Sequence, residues 1–198
     1  LEWSNPATLG GEGVGHRLVT GIEGGVMPRS GGLNSFDWGA VRPETLNIGI
    51  ILMFIGGGSA STAGGIKITT FLLLAYVIWA ELRGDPDIKI GTRSIGPAVV
   101  RTAITIALLA VMLVTVTTFL VMVMTDFDFD EVLFECTSAF ATAGLSTGIT
   151  PDLPANAQLV IIVLMFAGRV GTIAAAGAFV LRRRISRYHL PEEQPIIG

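Results

Sequence analysis

The residues from Ile50 to Phe71 form an apolar segment that is interrupted at its centre by a run of small residues. A helix that spans a membrane makes its backbone hydrogen bonds within itself, because lipid offers no other partners. The ten residues from Gly56 to Gly65 include five glycines and disfavour a helix. Non-helical backbone at membrane depth is tolerated where it is buried in protein or lines a water-filled cavity. The segment therefore predicts an intramembrane loop beside a permeation path.

Three long apolar stretches indicate a membrane protein, and only 15% of the residues are charged, against about a quarter in soluble domains. Residues 102–125 carry no charge, residues 155–181 carry only Arg169, and residues 45–80 carry only Lys67. At a rise of about 1.5 Å per residue, the first two stretches can cross a hydrocarbon core of about 30 Å. The third is too long for one straight helix, so we expect a break at its glycines.

The distribution of charge predicts the orientation in the membrane. The segment after Ala80 and the C-terminal tail are rich in arginine and lysine, whereas residues 126–154 contain only acidic charges. The positive-inside rule then places the C-terminus in the cytoplasm of a multi-pass protein of the cell (plasma or inner) membrane. Cys136 is the only cysteine, which excludes an intrachain disulfide. We expect no nucleic-acid partner, and we interpret the chain as the C-terminal piece of a longer protein that also supplies an N-terminal half.

Two parts of the chain match at an offset of 112 positions, as from Gly32 to Gly144. The same offset relates Glu23 to Glu135 and the residues 53–56 to 165–168. A single register that joins all these matches indicates an internal repeat.

Each repeat is predicted to contain a half-helix, a glycine-centred loop and a spanning helix. In the second repeat we expect a spanning helix at 95–124, a half-helix at 130–141 with Asp130 as its N-cap, a loop at 142–147 and a spanning helix at 156–181. The loop returns the chain to the outer side of the membrane. A spanning helix, a re-entrant loop and a second spanning helix, in this order, are the subunit plan of potassium-channel pores. The fold class is therefore an all-α membrane protein with parallel repeats, divided into residues 1–95 and 96–198.

The matched glycines Gly32 and Gly144 are candidates for a selectivity filter. Such a filter needs backbone carbonyls that replace the hydration shell of a cation, and glycine reaches the required backbone angles without steric cost. The alternative for each glycine alone is an ordinary turn between helices. As a pair within a repeat, they favour the filter.

Four segments resemble the Trk/Ktr/HKT potassium transporter superfamily. GGGSASTAGGIKITTF at 56–71 is similar to the intramembrane gate loop of that family, and MFAGRVG at 165–171 to its final helix. PRSGGLNSFDWG at 28–39 and FATAGLSTGITP at 140–151 resemble the third and fourth filter segments. The third filter departs at Ser30, Gly31 and Leu33, where Thr, Ala and Phe are commoner, which leaves the preference between potassium and sodium open.

The resemblance implies four repeats around one pore, of which this chain holds the third without most of its first helix and the complete fourth. It implies a potassium ion at the carbonyls of Gly32 and Gly144, a homodimer, a cytosolic regulatory ring with nucleotide sites, and no cofactor. Whether transport is by symport or through a channel stays open. The implied filter residues are Ser30, Gly31, Gly32, Leu33, Thr142, Ala143, Gly144 and Leu145. The implied gate residues are Gly56, Gly57, Gly58, Ser59, Ala60, Ser61, Thr62, Ala63, Gly64, Gly65, Lys67 and Arg169.

Charged residues within the apolar segments have two interpretations each. Arg169 should face a cavity or a partner, and our hypothesis is that it donates to the loop at 56–65 and opposes cation passage; a purely structural arginine is the alternative. Lys67 is either a second gate element or a lysine that extends to the membrane surface. Glu23 and Glu135 either tune the filter or hydrogen-bond its backbone, and we favour the structural role.

Two other functions remain as alternatives. An intramembrane enzyme with Ser59 or Ser61 as nucleophile needs a base, but His16 and His189 both lie outside the apolar stretches. We therefore predict that the chain is not an enzyme. A carrier for an organic solute would also use broken helices, and the paired glycine loops argue against it.

Overall fold

The computed structural model describes residues 1–29, 31–58, 61, 63–85, 88–90 and 93–181. This part of the chain is helical apart from a hairpin of two-residue strands, β1 (Lys89–Ile90) and β2 (Arg93–Ser94). The helices are α1 (Val14–Val26), α2 (Pro43–Phe54), α3 (Ile68–Arg83), α4 (Pro97–Met124), α5 (Phe129–Ala141) and α6 (Ala155–Leu181). Single turns of 3-10 helix lie at Glu2–Ser4, Met27–Arg29, Trp38–Ala40 and Thr150–Asp152.

Helix α4 is the one helix in the described ranges that is both long and apolar enough to cross a membrane. Its 28 residues have a mean hydropathy of 2.7, and at about 1.5 Å per residue they exceed the thickness of a hydrocarbon core. A shorter apolar helix occupies Pro43–Phe54, and the first part of α6, Ala155–Gly171, is also apolar. Helix α4 begins at Pro97, two residues later than predicted, because Gly96 is extended and proline is suited to the first helical position.

The long apolar stretch at 45–80 is broken as predicted, since α2 ends at Phe54 and α3 begins at Ile68. Backbone hydrogen bonds join the two sides of the break. Gly56 N–H donates to Ile66 O at 2.8 Å, and Ile66 N–H donates to Phe54 O at 3.2 Å. These bonds satisfy backbone groups that the missing helical turns leave free, which is the requirement for irregular backbone within a membrane.

Two pairs of elements on either side of the predicted repeat boundary begin at the same offset. Helices α2 and α6 start at Pro43 and Ala155, and a 3-10 turn precedes each, at Trp38–Ala40 and Thr150–Asp152. Each of these pairs is separated by the offset of 112 positions that relates the two sequences. The chain therefore has the same order of elements on both sides of loops that contain the matched glycines.

Helix α5 begins earlier than predicted. Asp130 lies within its first turn, while the N-cap position belongs to Asp128, whose backbone is extended with φ −67° and ψ 148°. The prediction of Asp130 as the N-cap was wrong because two acidic residues two positions apart are both suited to a helix start, and only the backbone angles decide between them. Helix α6 begins at Ala155, one residue before its predicted start.

Helix α5 forms the centre of the fold. It packs against α2, α4 and α6, and all of its residues from Phe134 to Ala141 are buried. The Trp38 ring lies between Phe36, at a centroid distance of 5.3 Å, and Phe134, at 5.2 Å. Trp38 thus connects the segment before α2 to α5.

Glu2 ties the N-terminal segment to the start of α2. Its Oε1 accepts hydrogen bonds from Arg42 N–H at 3.0 Å and the Thr45 hydroxyl at 2.5 Å, while its Oε2 accepts from the Asn5 amide at 2.5 Å and the Thr8 hydroxyl at 2.8 Å. Burial alone would raise the pKa of Glu2, but these four hydrogen bonds outweigh it and lower the pKa from 4.5 to about 2.

Replacing Glu2 by glutamine is expected to lower stability at neutral pH by about 1 to 3 kcal/mol, the usual range for losing hydrogen bonds to a charged group. Because the folded-state pKa is lowered, the ionised carboxylate stabilises the fold fully above its ordinary value of 4.5, and this contribution is lost as the pH falls towards 2. Thermal unfolding in detergent should show a difference between wild type and variant that is larger at pH 7 than at pH 3. The exposed Glu44 supplies the control, Glu44→Gln. A difference that is the same at both pH values would contradict the prediction.

Candidate functional site

Two loops that follow corresponding helices form the centre of the candidate site. Loop A (residues 31–37) follows α1 and its terminal 3-10 turn, and loop B (residues 142–149) follows α5. Gly32 in loop A has φ +66°, and Gly144 in loop B has φ +84°. Both values lie in the left-handed region that favours glycine, so the matched glycines share a conformation that side chains disfavour.

The two matched glycines lie against each other. A Cβ atom built on Gly144 would lie 3.4 Å from Gly32 Cα, and one built on Gly32 would lie 3.2 Å from the carbonyl oxygen of Ala143. The structure therefore brings together two residues that are far apart in sequence and that occupy the same repeat position.

Alternate amides of loop B are bound by α5. Ala143 N–H donates to Ser138 O and Leu145 N–H donates to Ser138 Oγ, both at 3.0 Å, and Thr147 N–H donates to Glu135 Oε1 at 3.1 Å. Within the described ranges, no hydrogen bond uses the carbonyl oxygens of residues 143–145. Three amides of this segment thus donate to α5, while its carbonyl oxygens at 143–145 accept no hydrogen bond from the described residues.

The other predicted filter residues have different environments. Ala143 and Leu145 are buried, at 2% and 3% exposure, whereas Leu33 is 64% exposed. Thr142, the C-cap of α5, is a non-glycine residue with a positive φ of 51°. Gly31 is adjacent to the Met27 side chain, and Ser30 lies outside the described residues.

Each half-helix places a glutamate beside its own loop. Glu23 accepts a hydrogen bond from the Ser35 hydroxyl, and Glu135 accepts one from the Ser146 hydroxyl. Glu135 also accepts from the Thr150 hydroxyl at 3.0 Å. These contacts support the interpretation of both glutamates as residues that hydrogen-bond the loops.

The segment at 56–65, here called the glycine-rich loop, lies against the end of α5. Gly64 N–H donates to the Thr142 hydroxyl at 3.0 Å, and a Cβ on Gly64 would lie 2.9 Å from Ala141 O. Gly65 has φ +73°, and its Cβ would lie 3.5 Å from Ala141 Cα. The small residues of this loop thus allow its backbone to approach the base of loop B closely. Ser59, Ala60 and Thr62 lie outside the described residues.

Helix α6 also packs closely on this junction. A Cβ atom on Gly168 would overlap the carbonyl oxygen of Phe140 in α5. The glycine at this position lets α6 contact the backbone of α5 directly.

The two cations predicted for the gate lie near each other. The Lys67 ammonium donates to Ala63 O and, at 3.3 Å, to Ser61 O, so its side chain contacts the glycine-rich loop. Arg169 has an exposed side chain, and its charge is close enough to repel that of Lys67. The hypothesis that Arg169 donates to the glycine-rich loop stays a prediction.

Sequence reasoning missed Ser138 and did not foresee how Glu135 and Ser138 act together. The sequence contained a signal for this pair: Glu135 and Ser138 are polar residues three positions apart, which places them on one face of a helix, and both precede loop B. The corresponding position to Ser138 in the first repeat is Val26, which shows that loop A lacks this anchor.

The residues proposed for an enzyme are separated. The Ser61 hydroxyl donates to Gly58 O at 2.9 Å, while His16 contacts Glu12 and Thr20 in the region of α1. His189 and Ser59 lie outside the described residues. In the part of the chain that the structure describes, no group of three His, Cys, Asp or Glu side chains could hold a metal ion.

Residues 10–186 match the family model described as TrkH, cation transport protein. The chain belongs to this family. It is 38% identical over 198 residues to the Ktr system potassium uptake protein B of Bacillus subtilis (strain 168), which covers all of this chain and 44% of that protein. It is 35% identical over its whole length to the protein of the same name from Vibrio alginolyticus, of which it covers 43%.

The potassium/sodium uptake protein NtpJ of Enterococcus hirae is 34% identical over 188 residues, which is 92% of this chain and 42% of that protein. The chain thus spans less than half the length of these curated relatives. The resemblance to the Trk and Ktr transporters is confirmed. TrkH-family membership makes the chain part of a helical membrane protein of a cation transport family, and this family is not one of enzymes.

Proposed function

We propose that this chain supplies two repeats of a pore that carries potassium across the cell membrane, with loop A and loop B as parts of its selectivity filter. The observation that carries the proposal is the contact between Gly32 and Gly144, which have positive φ and meet across the two repeats. Carbonyl oxygens near this contact would replace the hydration shell of a monovalent cation.

The hydrogen bonds of loop B support this assignment. A cation needs oxygens, whereas an anion needs amide donors. The amides of Ala143, Leu145 and Thr147 are bound to α5, and the carbonyl oxygens of residues 143–145 accept no hydrogen bond from the described part of the chain. The negative end of the α5 dipole also points towards the start of loop B, which favours a cation there.

The glycine-rich loop is the proposed gate, together with Lys67 and Arg169. It lies against the Thr142 hydroxyl at the base of loop B, so it can be displaced only by breaking this contact. The positive charges of Lys67 and Arg169, which are close together, would oppose a cation while the gate loop is in place.

The remaining parts of the proposal concern the whole protein. We propose that residues 1–95 and 96–198 are parallel pore-loop repeats, that the C-terminus is cytoplasmic, and that an N-terminal half completes the pore. A homodimer and a cytosolic nucleotide-binding ring are the proposed partners. Two of the similar relatives are named as parts of a Ktr system, which supports a function within an assembly of several components.

Ion flux through the full-length protein in liposomes tests the proposal. Rubidium, as a potassium analogue, should enter the liposomes and be competed by potassium, whereas a labelled organic solute should not enter. Entry of the organic solute without rubidium would overturn the proposal in favour of a carrier. Sodium competition in the same assay measures the preference between potassium and sodium.

Replacement of Lys67 by glutamine is expected to raise rubidium flux in the absence of regulatory partners by about threefold to tenfold. The substitution removes the positive charge and replaces the ammonium that donates to Ser61 O and Ala63 O by a shorter, neutral amide donor. The loss of a charge-assisted hydrogen bond is worth about 1 kcal/mol or more. Arg169→Gln should act in the same direction. The control is Arg83→Gln at the end of α3, where the arginine stacks on Trp79. Unchanged flux in both gate variants would exclude these cations from gating.

A further inference from the structure

Glu135 is a buried carboxylate whose hydrogen bonds in the described part of the chain go to loop B and to Thr150 directly after it. It is 6% exposed. Its Oε1 accepts from the Ser146 hydroxyl and from Thr147 N–H at 3.1 Å, and its Oε2 accepts from the Thr150 hydroxyl at 3.0 Å. The carboxylate therefore fixes the end of loop B, and Thr150 directly after it, against α5.

No basic side chain balances the charge of Glu135 in the described ranges, where the ion pair is that of His16 with Glu12. A buried carboxylate without a counter-charge is costly, and hydroxyl and amide dipoles offset this cost only in part. The carboxylate also borders a cavity of about 370 Å³, which is lined by Ser138, Gly144, Ser146 and Met165 among others. Its negative potential therefore acts on the space beside Gly144.

The corresponding glutamate of the first repeat is held differently. Glu23 is half-buried, and among the described residues it accepts a hydrogen bond only from the Ser35 hydroxyl. A half-buried carboxylate is better solvated, so its charge is screened more strongly. The two loops thus have the same acidic residue with unequal burial and unequal numbers of contacts.

We infer that Glu135 is a positioning residue for cation binding: it fixes loop B, and its uncompensated negative charge raises the affinity of that loop for a monovalent cation. This inference rests on the proposed function, because it assigns a role within the same site. A carboxylate that served only to hold the loop would leave the affinity for the cation unchanged when glutamine took over its hydrogen bonds.

Glu135→Gln separates charge from geometry, since the amide keeps the shape of the side chain and can still bond to the Ser146, Thr147 and Thr150 groups. Rubidium uptake by the full-length protein in liposomes is measured over a range of concentrations. We expect the half-saturating concentration to rise by about tenfold, with the maximal rate changed by less than about twofold. Glu135→Asp keeps the charge, so its half-saturating rubidium concentration should remain within about threefold of that of the wild type.

Glu131→Gln is the matched control, because Glu131 lies one turn earlier in α5 and makes no hydrogen bond to loop B in the described part of the chain. It should leave half-saturation unchanged. Glu23→Gln should have a smaller effect than Glu135→Gln. The inference would be overturned if Glu135→Gln kept the half-saturating rubidium concentration of the wild type and lowered only the maximal rate of uptake.

A second measurement does not depend on transport. Potassium should raise the thermal unfolding midpoint of the purified wild type by binding the folded state, and it should raise that of Glu135→Gln less at the same concentration. Equal shifts in the two proteins would also overturn the inference. A wild type that takes up no rubidium would instead overturn the proposed function, and the inference with it.

Discussion

Replacement of Gly144 by alanine is expected to reduce rubidium uptake at low concentration by at least about tenfold. Two effects act together. An L-residue in the left-handed conformation costs roughly 1 to 2 kcal/mol, and the new methyl group would lie 3.4 Å from Gly32 Cα. If strain at loop B moves its carbonyls away from the ion, a loss of about 1.4 kcal/mol in binding already corresponds to a factor of ten.

The control for this prediction is Gly84→Ala at the end of α3. Gly84 also has a positive φ, +69°, but a Cβ there would meet nothing within 4 Å. The control therefore introduces similar backbone strain away from the two loops, and uptake should stay close to that of the wild type. Equal losses of uptake in the two variants would show that general instability, and not the contact between Gly32 and Gly144, causes the effect.

Replacement of Gly168 by alanine is expected to destabilise the folded protein by at least about 1 to 3 kcal/mol, which is the usual cost of overpacking a well-packed interior. The new Cβ would overlap the Phe140 carbonyl oxygen, which belongs to the backbone of α5 and cannot rotate away as a side chain can. Either α6 moves outward or α5 shifts at the point where loop B begins. The measurement is the thermal unfolding midpoint in detergent, together with the amount of monodisperse protein after purification.

Gly171→Ala is a matched control in the same helix, one turn after Gly168. A Cβ at this position would meet nothing within 4 Å. Because alanine is favoured over glycine in a helix interior by about 0.5 to 1 kcal/mol, this variant should be as stable as the wild type or more so. Equal destabilisation by both substitutions would contradict the close contact between α5 and α6.

The position of the broken helix and the equivalence of Gly32 and Gly144 could be predicted, because a run of small residues acts locally and the offset of 112 positions is visible in the sequence. The contact between the two glycines is tertiary and was not predicted. A run of small residues interrupts a helix wherever it occurs, and a repeat places equivalent residues in equivalent structures. The N-cap of α5 was predicted two residues late, since Asp128 and Asp130 are both suited to a helix N-terminus. Local sequence does not decide between them.

The contacts of long side chains could not be predicted in the same way. The sequence placed Lys67 and Arg169 within apolar segments, but it could not show that Lys67 bonds to the carbonyls of Ser61 and Ala63. The paired action of Glu135 and Ser138 on loop B likewise depends on how closely that loop folds back on α5. Such contacts are set by tertiary packing, which the sequence pattern does not specify residue by residue.

The hydrogen bonds across the break between α2 and α3 have a mechanical consequence. Because Gly56 is hydrogen-bonded to Ile66, and Ile66 to Phe54, α2 and α3 are held to each other although the chain between them is not helical. A displacement of α3 at its C-terminal end, near Arg83, would therefore be transmitted into α2. Gly49 of α2 faces the Trp38 ring. The Trp38 ring contacts Phe134 of α5. A displacement of the C-terminal end of α3 would therefore reach the surroundings of loop A and loop B through helices and packed rings, and not through the glycine-rich loop.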